Sequence, residues 1–126
     1  MSLSNTYETN ILTWALTNSA VTRPTAWYVG LFTTDPTDAG TGTEVSGGSY
    51  ARVAVTMTVS GDTASNSAAV EFAAATASWG TVTHLAVFDA SSGGNIIAHG
   101  ALTASKSIGS GDIFRIATGD LDITLD

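Results

Sequence analysis

The chain has no cysteine, two prolines and four basic residues among its 126 positions. The absence of cysteine excludes disulfides, thiolate metal sites and a thiol nucleophile, and leaves the redox compartment undetermined. Arg23, Arg52, Lys106 and Arg115 are scattered and outnumbered by eleven acidic residues, for a net charge of −7. Nucleic-acid binding draws on clustered Lys and Arg that displace counterions, so DNA and RNA are not expected as ligands. Charged residues make up only 12% of the chain, about half the usual share. So neutral a surface suits a protein that covers itself with partners. No apolar run approaches the ~20 residues of a membrane span. The N-terminus also lacks the basic stretch and apolar core of a signal peptide. The expectation is a protein made and folded in the cytoplasm, without a membrane partner.

What is present is apolar and small: 44% hydrophobic residues, with abundant Ala, Thr, Ser and Gly. A chain of this length reads as one domain, 1–126, able to bury a core without a disulfide or metal. Its central stretch is Trp79 to Asp89, rich in β-branched and aromatic residues. Val82, His84, Ala86 and Phe88 alternate with Thr83, Leu85 and Val87, so both faces of the predicted strand carry apolar groups and both should be covered. Ala90 to Asn95 is a turn cluster, and Ile96 to Leu102 resumes as a strand, which makes a hairpin.

Residues 4–18 read as the one helix. Asn5 and Glu8 resemble a capping box, and Leu3, Tyr7, Ile11 and Trp14 or Ala15 recur at helical spacing, with Leu12 and Leu16 widening the stripe. That stripe predicts a helix docked on the sheet. Ala26 to Thr33 is a strong strand in which Gly30 permits a close approach. Thr34 to Gly48 is long for a connection in a compact domain and reads as a contact arm. Tyr50 to Val59 alternates cleanly, with Ala51, Val53, Val55, Met57 and Val59 predicted to share a buried face. Further strands are expected within 64–75 and 113–116, and at the C-terminus, where Leu121, Ile123 and Leu125 alternate with acidic residues that protect an edge. About seven or eight strands with frequent turns predict a mainly β fold, an antiparallel sandwich or jelly-roll-like domain with one N-terminal helix.

Catalytic chemistry finds little support in the sequence. No Gly-x-Ser-x-Gly motif or phosphate-binding loop occurs, and no enzyme activity, cofactor or metal is expected. His84 and His99, the only histidines, fall as diagonal neighbours if the hairpin closes at 90–95. A metal needs a third ligand, and Asp89 has the wrong parity, so hydrogen-bonded structural roles are expected. Asp35, Asp38 and Glu44 share a loop whose spacing departs from the EF-hand pattern. Trp14, Trp27, Trp79, Tyr28 and Tyr50 suggest a sugar-binding face as one alternative, and core or interface anchors as another.

Four segments carry a resemblance. They are Trp27 to Pro36, Glu44 to Arg52, Trp79 to His84, and Gly100-Ala101-Leu102 followed by Gly111-Asp112. In combination and order they resemble small tailed-bacteriophage and prophage virion proteins commonly labelled tail fibre or minor structural proteins. The resemblance implies a virion structural protein with no catalytic or cofactor residues. A single compact domain without fibre repeats or a coiled coil fits a capsid decoration (cement) protein first, with a tail-attached module as the close alternative and a carbohydrate-binding module in host recognition behind it. Expected partners are the chain itself, as a homo-oligomer and preferably a trimer, and the major capsid or tail proteins. The expected interface residues are Tyr7, Ile11, Trp14, Arg23, Asp35, Asp38, Glu44 and Tyr50, from the N-terminal segment and the long loop.

Overall fold

A computed structural model describes residues 1–126. The elements in chain order are β1 (Ser2–Leu3), α1 (Asn5–Leu16), β2 (Tyr28–Phe32), β3 (Val53–Ala54), β4 (Met57–Ser60), β5 (Thr63–Asn66), β6 (Val70–Glu71), β7 (Gly80–Phe88), β8 (Ile96–Ile108), β9 (Arg115–Ile116) and β10 (Asp122–Thr124). The fold is mainly β with one short N-terminal helix and antiparallel pairing, compatible with the expected sandwich. A five-stranded sheet has the order β1-β8-β7-β2-β3; β10-β5-β4 and β6-β9 form smaller sheets.

β7 is the middle strand of the large sheet, paired with β2 on one side and β8 on the other. Both of its faces are covered, as its two apolar sets predict. Leu85 and Val87 join Val29 and Leu31 in the main core, against Val70, Phe72, Phe114, Ile116 and Leu121. Ala86 and Phe88 pack on the other face with Phe32 and Ile96. Val82 belongs to the main core rather than to the His84 set. At a register irregularity between Val82 and His84, two steps along β7 match five along β8, and the facing of the strand changes there.

The predicted strand from Tyr50 to Val59 divides in two. Val53–Ala54 pairs with β2, whereas Met57–Ser60 pairs with β5 in another sheet. Between them the Val55 N–H donates to Trp27 O and the Ser67 N–H to Thr56 O, so the chain passes from one sheet to the next. One face therefore cannot stay buried along its length. Val55 is buried but Val59 is 75% exposed. Leu85→Ala should cost about 2–4 kcal/mol, as the loss of a buried leucine does, whereas Val59→Ala should stay within about 0.5 kcal/mol. Comparable losses from both in denaturant unfolding would contradict the change of sheet.

The C-terminal alternation holds in part: Leu121 is buried, while Leu125 is 49% exposed beyond the end of β10. The strand read as Ile96 to Leu102 is longer than expected, because β8 runs on to Ile108.

The helix departs furthest from expectation. Its N-cap is Ser4, whose hydroxyl accepts from the Tyr7 N–H and donates to Ile96 O, so the Asn5–Glu8 capping box does not form. The Ser4 N–H donates to Ile97 O and the Asn5 N–H to Asp38 O, which anchors the helix start to β8 and the long loop. Only Tyr7 is buried along the helix, and Leu3 lies in β1. Along the expected docking stripe Tyr7 is therefore the one buried residue, with Ile11 half-buried beyond it.

Candidate functional site

Three regions contain the residues singled out from the sequence. The first is the outer half of α1 and the strand-free segment after it. Trp14 is 71% exposed, Leu12 58% and Leu16 76%. At 100° per residue Trp14 lies on the Tyr7 side of the helix and Leu16 on the opposite side, so this end is apolar around much of its circumference. A helix of that kind is normally buried. No charged residue occurs between Glu8 and Arg23. Ile11, Trp14, Val21, Arg23 and Pro24 line a shallow groove between the helix and the segment that follows it.

The inner end of this surface is fixed by Tyr7, whose hydroxyl donates to Asp89 Oδ2 at 2.8 Å. Burial first, then the Asp89 carboxylate, pushes the Tyr7 pKa up, so this donor keeps its proton. For Asp89, burial works against the charge. It is outweighed by hydrogen bonds from the Asn95 N–H, the Tyr7 hydroxyl and the Asn95 amide, which hold its pKa below the ordinary value. A carboxylate depressed in the folded state adds stability above its unfolded pKa of about 3.9, and that stability disappears as pH falls through the lower folded value. Asp89→Asn should therefore be less stable than the parent at neutral pH and equal to it once the parent's Asp89 is protonated in both the folded and the unfolded state. A gap that persists unchanged to pH ~2 in denaturant midpoints would contradict this linkage.

The second region is the loop from Thr34 to Gly48, and it is no free arm. Glu44 forms a bridge to Phe32, the Thr33 N–H donates to Thr43 O and the Val45 N–H to Leu31 O. Pro36 and Val45 are buried. Asp35 and Asp38 extend from this folded tongue toward His99, with His99 Nε2 2.7 Å from Asp38 Oδ1. The two histidines are diagonal neighbours as expected, since His84 pairs with Ala101 and His99 with Ala86.

The third region is internal. Glu44 and Tyr50 do not face outward. Arg52 reaches Glu44 with Nε at 2.8 Å and Nη2 at 2.9 Å, donates through Nη1 to Ala90 O and Gly93 O, and lies 3.4 Å above the Phe88 ring. The Tyr50 hydroxyl donates to Glu44 Oε1 at 2.7 Å and accepts from the Leu31 N–H. Gly30 makes room for this arrangement: a Cβ there would stand 2.7 Å from Phe88 and 2.8 Å from Glu44. Tyr50 also stacks on Phe72 and meets Trp79 edge-on. Trp79 is 4% exposed, so these two aromatics serve the core rather than an open sugar-binding face. Arg52 was visible in the sequence only as one scattered base, because its partners come from separate stretches of the chain.

The fold thus leaves a neutral apolar helix end uncovered and turns Arg52, Glu44 and Tyr50 toward one another. Comparison with protein families identifies the class. The family described as Podophage GP4 fiber I protein gp80 matches residues 2–124, and the chain belongs to it. It is a phage fibre protein family, which makes the chain a component of the virion. No curated protein matches the chain. No helix is long and apolar enough to cross a membrane.

Proposed function

We propose that this protein is a tail-attached fibre module, without enzymatic activity, that assembles as a homo-oligomer through the outer half of α1. The family description names a fibre, which favours the tail over the capsid decoration that size and composition first suggested. The observation that carries the contact surface is the uncharged helix end with Leu12, Trp14 and Leu16 exposed. In a chain of net charge −7, an uncharged patch is where copies approach with least repulsion. Closed point-group symmetry is the rule for such assemblies, and a trimer is the form proposed here. Ile11, Trp14 and Arg23 fall on this surface. Tyr7 supports it from below, and Glu44 and Tyr50 take no direct part.

Light scattering of the purified chain, together with copy number per particle, tests the reading. A trimer in solution and tens of copies per virion are expected. A monomer under all conditions would refute the oligomer, and hundreds of copies would favour capsid decoration.

A further inference from the structure

We infer that the outer end of α1 docks on a second copy of this chain, at the free end of the β4-β5-β10 ribbon, in a head-to-tail contact. This rests on the contact role proposed above for α1 and names the surface that receives it. The first feature is an apolar face that the core does not cover. Val59 and Ile123 both pair with Ala64, and directly opposed residues share a face. Met57, two residues before Val59, lies on that face too. Met57 and Ile123 pack against the main core, so this is the core side of the ribbon. Burial fades along it toward the turn at Gly61 and Asp62. On β5, Asn66 is buried and Ala64 half-buried; on β4, Met57 is half-buried and Val59 is 75% exposed. Leu125, two residues past Ile123, is also exposed, and its N–H donates to Asp62 O. The ribbon thus overhangs the core and leaves Val59 bare on its inner side, with Leu125 at the same end.

The second feature is charge. The free end of the ribbon carries Asp62 and Asp126, and neither of its segments, 57–66 or 120–126, contains a Lys or Arg. The helix end is the reverse. Arg23 is the one charged residue between Glu8 and Asp35, and it lines the groove with Ile11 and Trp14. No ion pair within the chain involves Arg23, Asp62 or Asp126. The two surfaces are therefore both apolar, opposite in sign and exposed in a single copy.

This complementarity decides between arrangements. A two-fold contact uses one patch on both copies. Helix end against helix end would bring Arg23 toward Arg23, and ribbon against ribbon would bring acid toward acid. Like charges set against each other across an interface cost affinity and select against that pairing. Helix end against ribbon sets Arg23 toward Asp62 and Asp126, and Trp14 with its groove toward Val59 and Leu125. Each copy has one of each surface, so the contact repeats in one direction. Such a contact closes as a ring or continues as a filament. Three copies, each giving its helix end to the next, make the trimer proposed above.

The test mixes two variants of the full-length chain, each changed at one exposed residue. Trp14→Glu blocks the helix end, and Val59→Asp blocks the ribbon. In sedimentation each variant alone should self-associate at least ~10-fold more weakly than the parent. Mixed, they should form a one-to-one dimer that grows no further, because one intact helix end meets one intact ribbon. Leu125→Asp replaces Val59→Asp if that variant fails to fold. Asp62→Arg should restore part of the association that Arg23→Asp loses. A Val59→Asp chain that assembles like the parent while Trp14→Glu does not would overturn this inference and leave the contact role of α1 standing. A Trp14→Glu chain that assembles normally, or a parent that stays monomeric, would overturn both. Folded variants that fail alone and fail again when mixed would overturn the head-to-tail contact.

Discussion

Arg52→Ala should destabilise the fold by about 3 kcal/mol, the low end of the cost of leaving one member of a buried ion pair uncompensated, because Glu44 keeps some contact with solvent. The Arg52 side chain is 9% exposed and Glu44 25%. Glu44 would keep the Tyr50 hydroxyl and lose both guanidinium bonds. Ala90 O and Gly93 O would lose their donor, and the Phe88 face its cover. Arg52→Lys should recover little, since an ammonium lacks the planar fork that spans Glu44 and the two carbonyls together. Pairing Arg52→Met with Glu44→Gln should recover part of the loss, because the stranded charge is then gone. Denaturant unfolding reads all three variants, and a loss below about 1 kcal/mol for Arg52→Ala would show that this network contributes as little as an ordinary surface pair.

Trp14→Ala should have the opposite profile. With Trp14 71% exposed, its loss should change monomer stability by no more than about 0.5 kcal/mol. If the outer half of α1 is the contact surface, Trp14 is its largest anchor, and truncating a tryptophan anchor costs 2 kcal/mol or more of association, about 30-fold or greater in affinity. Sedimentation and particle-binding assays on a variant that melts normally separate the two effects. Normal assembly by Trp14→Ala would remove the helix end from the interface.

The elements legible in the sequence were those whose pattern is local. The period-two alternation of Leu85 and Val87 against Ala86 and Phe88 gave the covered central strand, and the turn residues at 90–95 gave the hairpin and the diagonal histidines. The failures came from contacts distant in sequence. The Met57–Ser60 segment alternates like its neighbours, but pairing with β5 takes it into another sheet, and no local pattern encodes that choice. The helix carried an apolar stripe of the right period, yet Tyr7 alone along it is buried and Trp14 is left exposed. Among the residues proposed for contact, Ile11, Trp14 and Arg23 are near one another in sequence and line one groove. The approach of Asp35 to His84 and His99 could not be read from the sequence, since a folded tongue rather than sequence spacing brings it there. Loop composition marks a candidate contact region without saying whether it projects or folds back.

The most direct test of the central claim is localisation of this protein on intact particles, by antibody labelling in electron microscopy or by a reconstruction of the whole virion. Density and label confined to the tail, with the outer half of α1 covered by a neighbouring subunit, is the result predicted. Label distributed over the capsid shell, with the helix end bare, would contradict it.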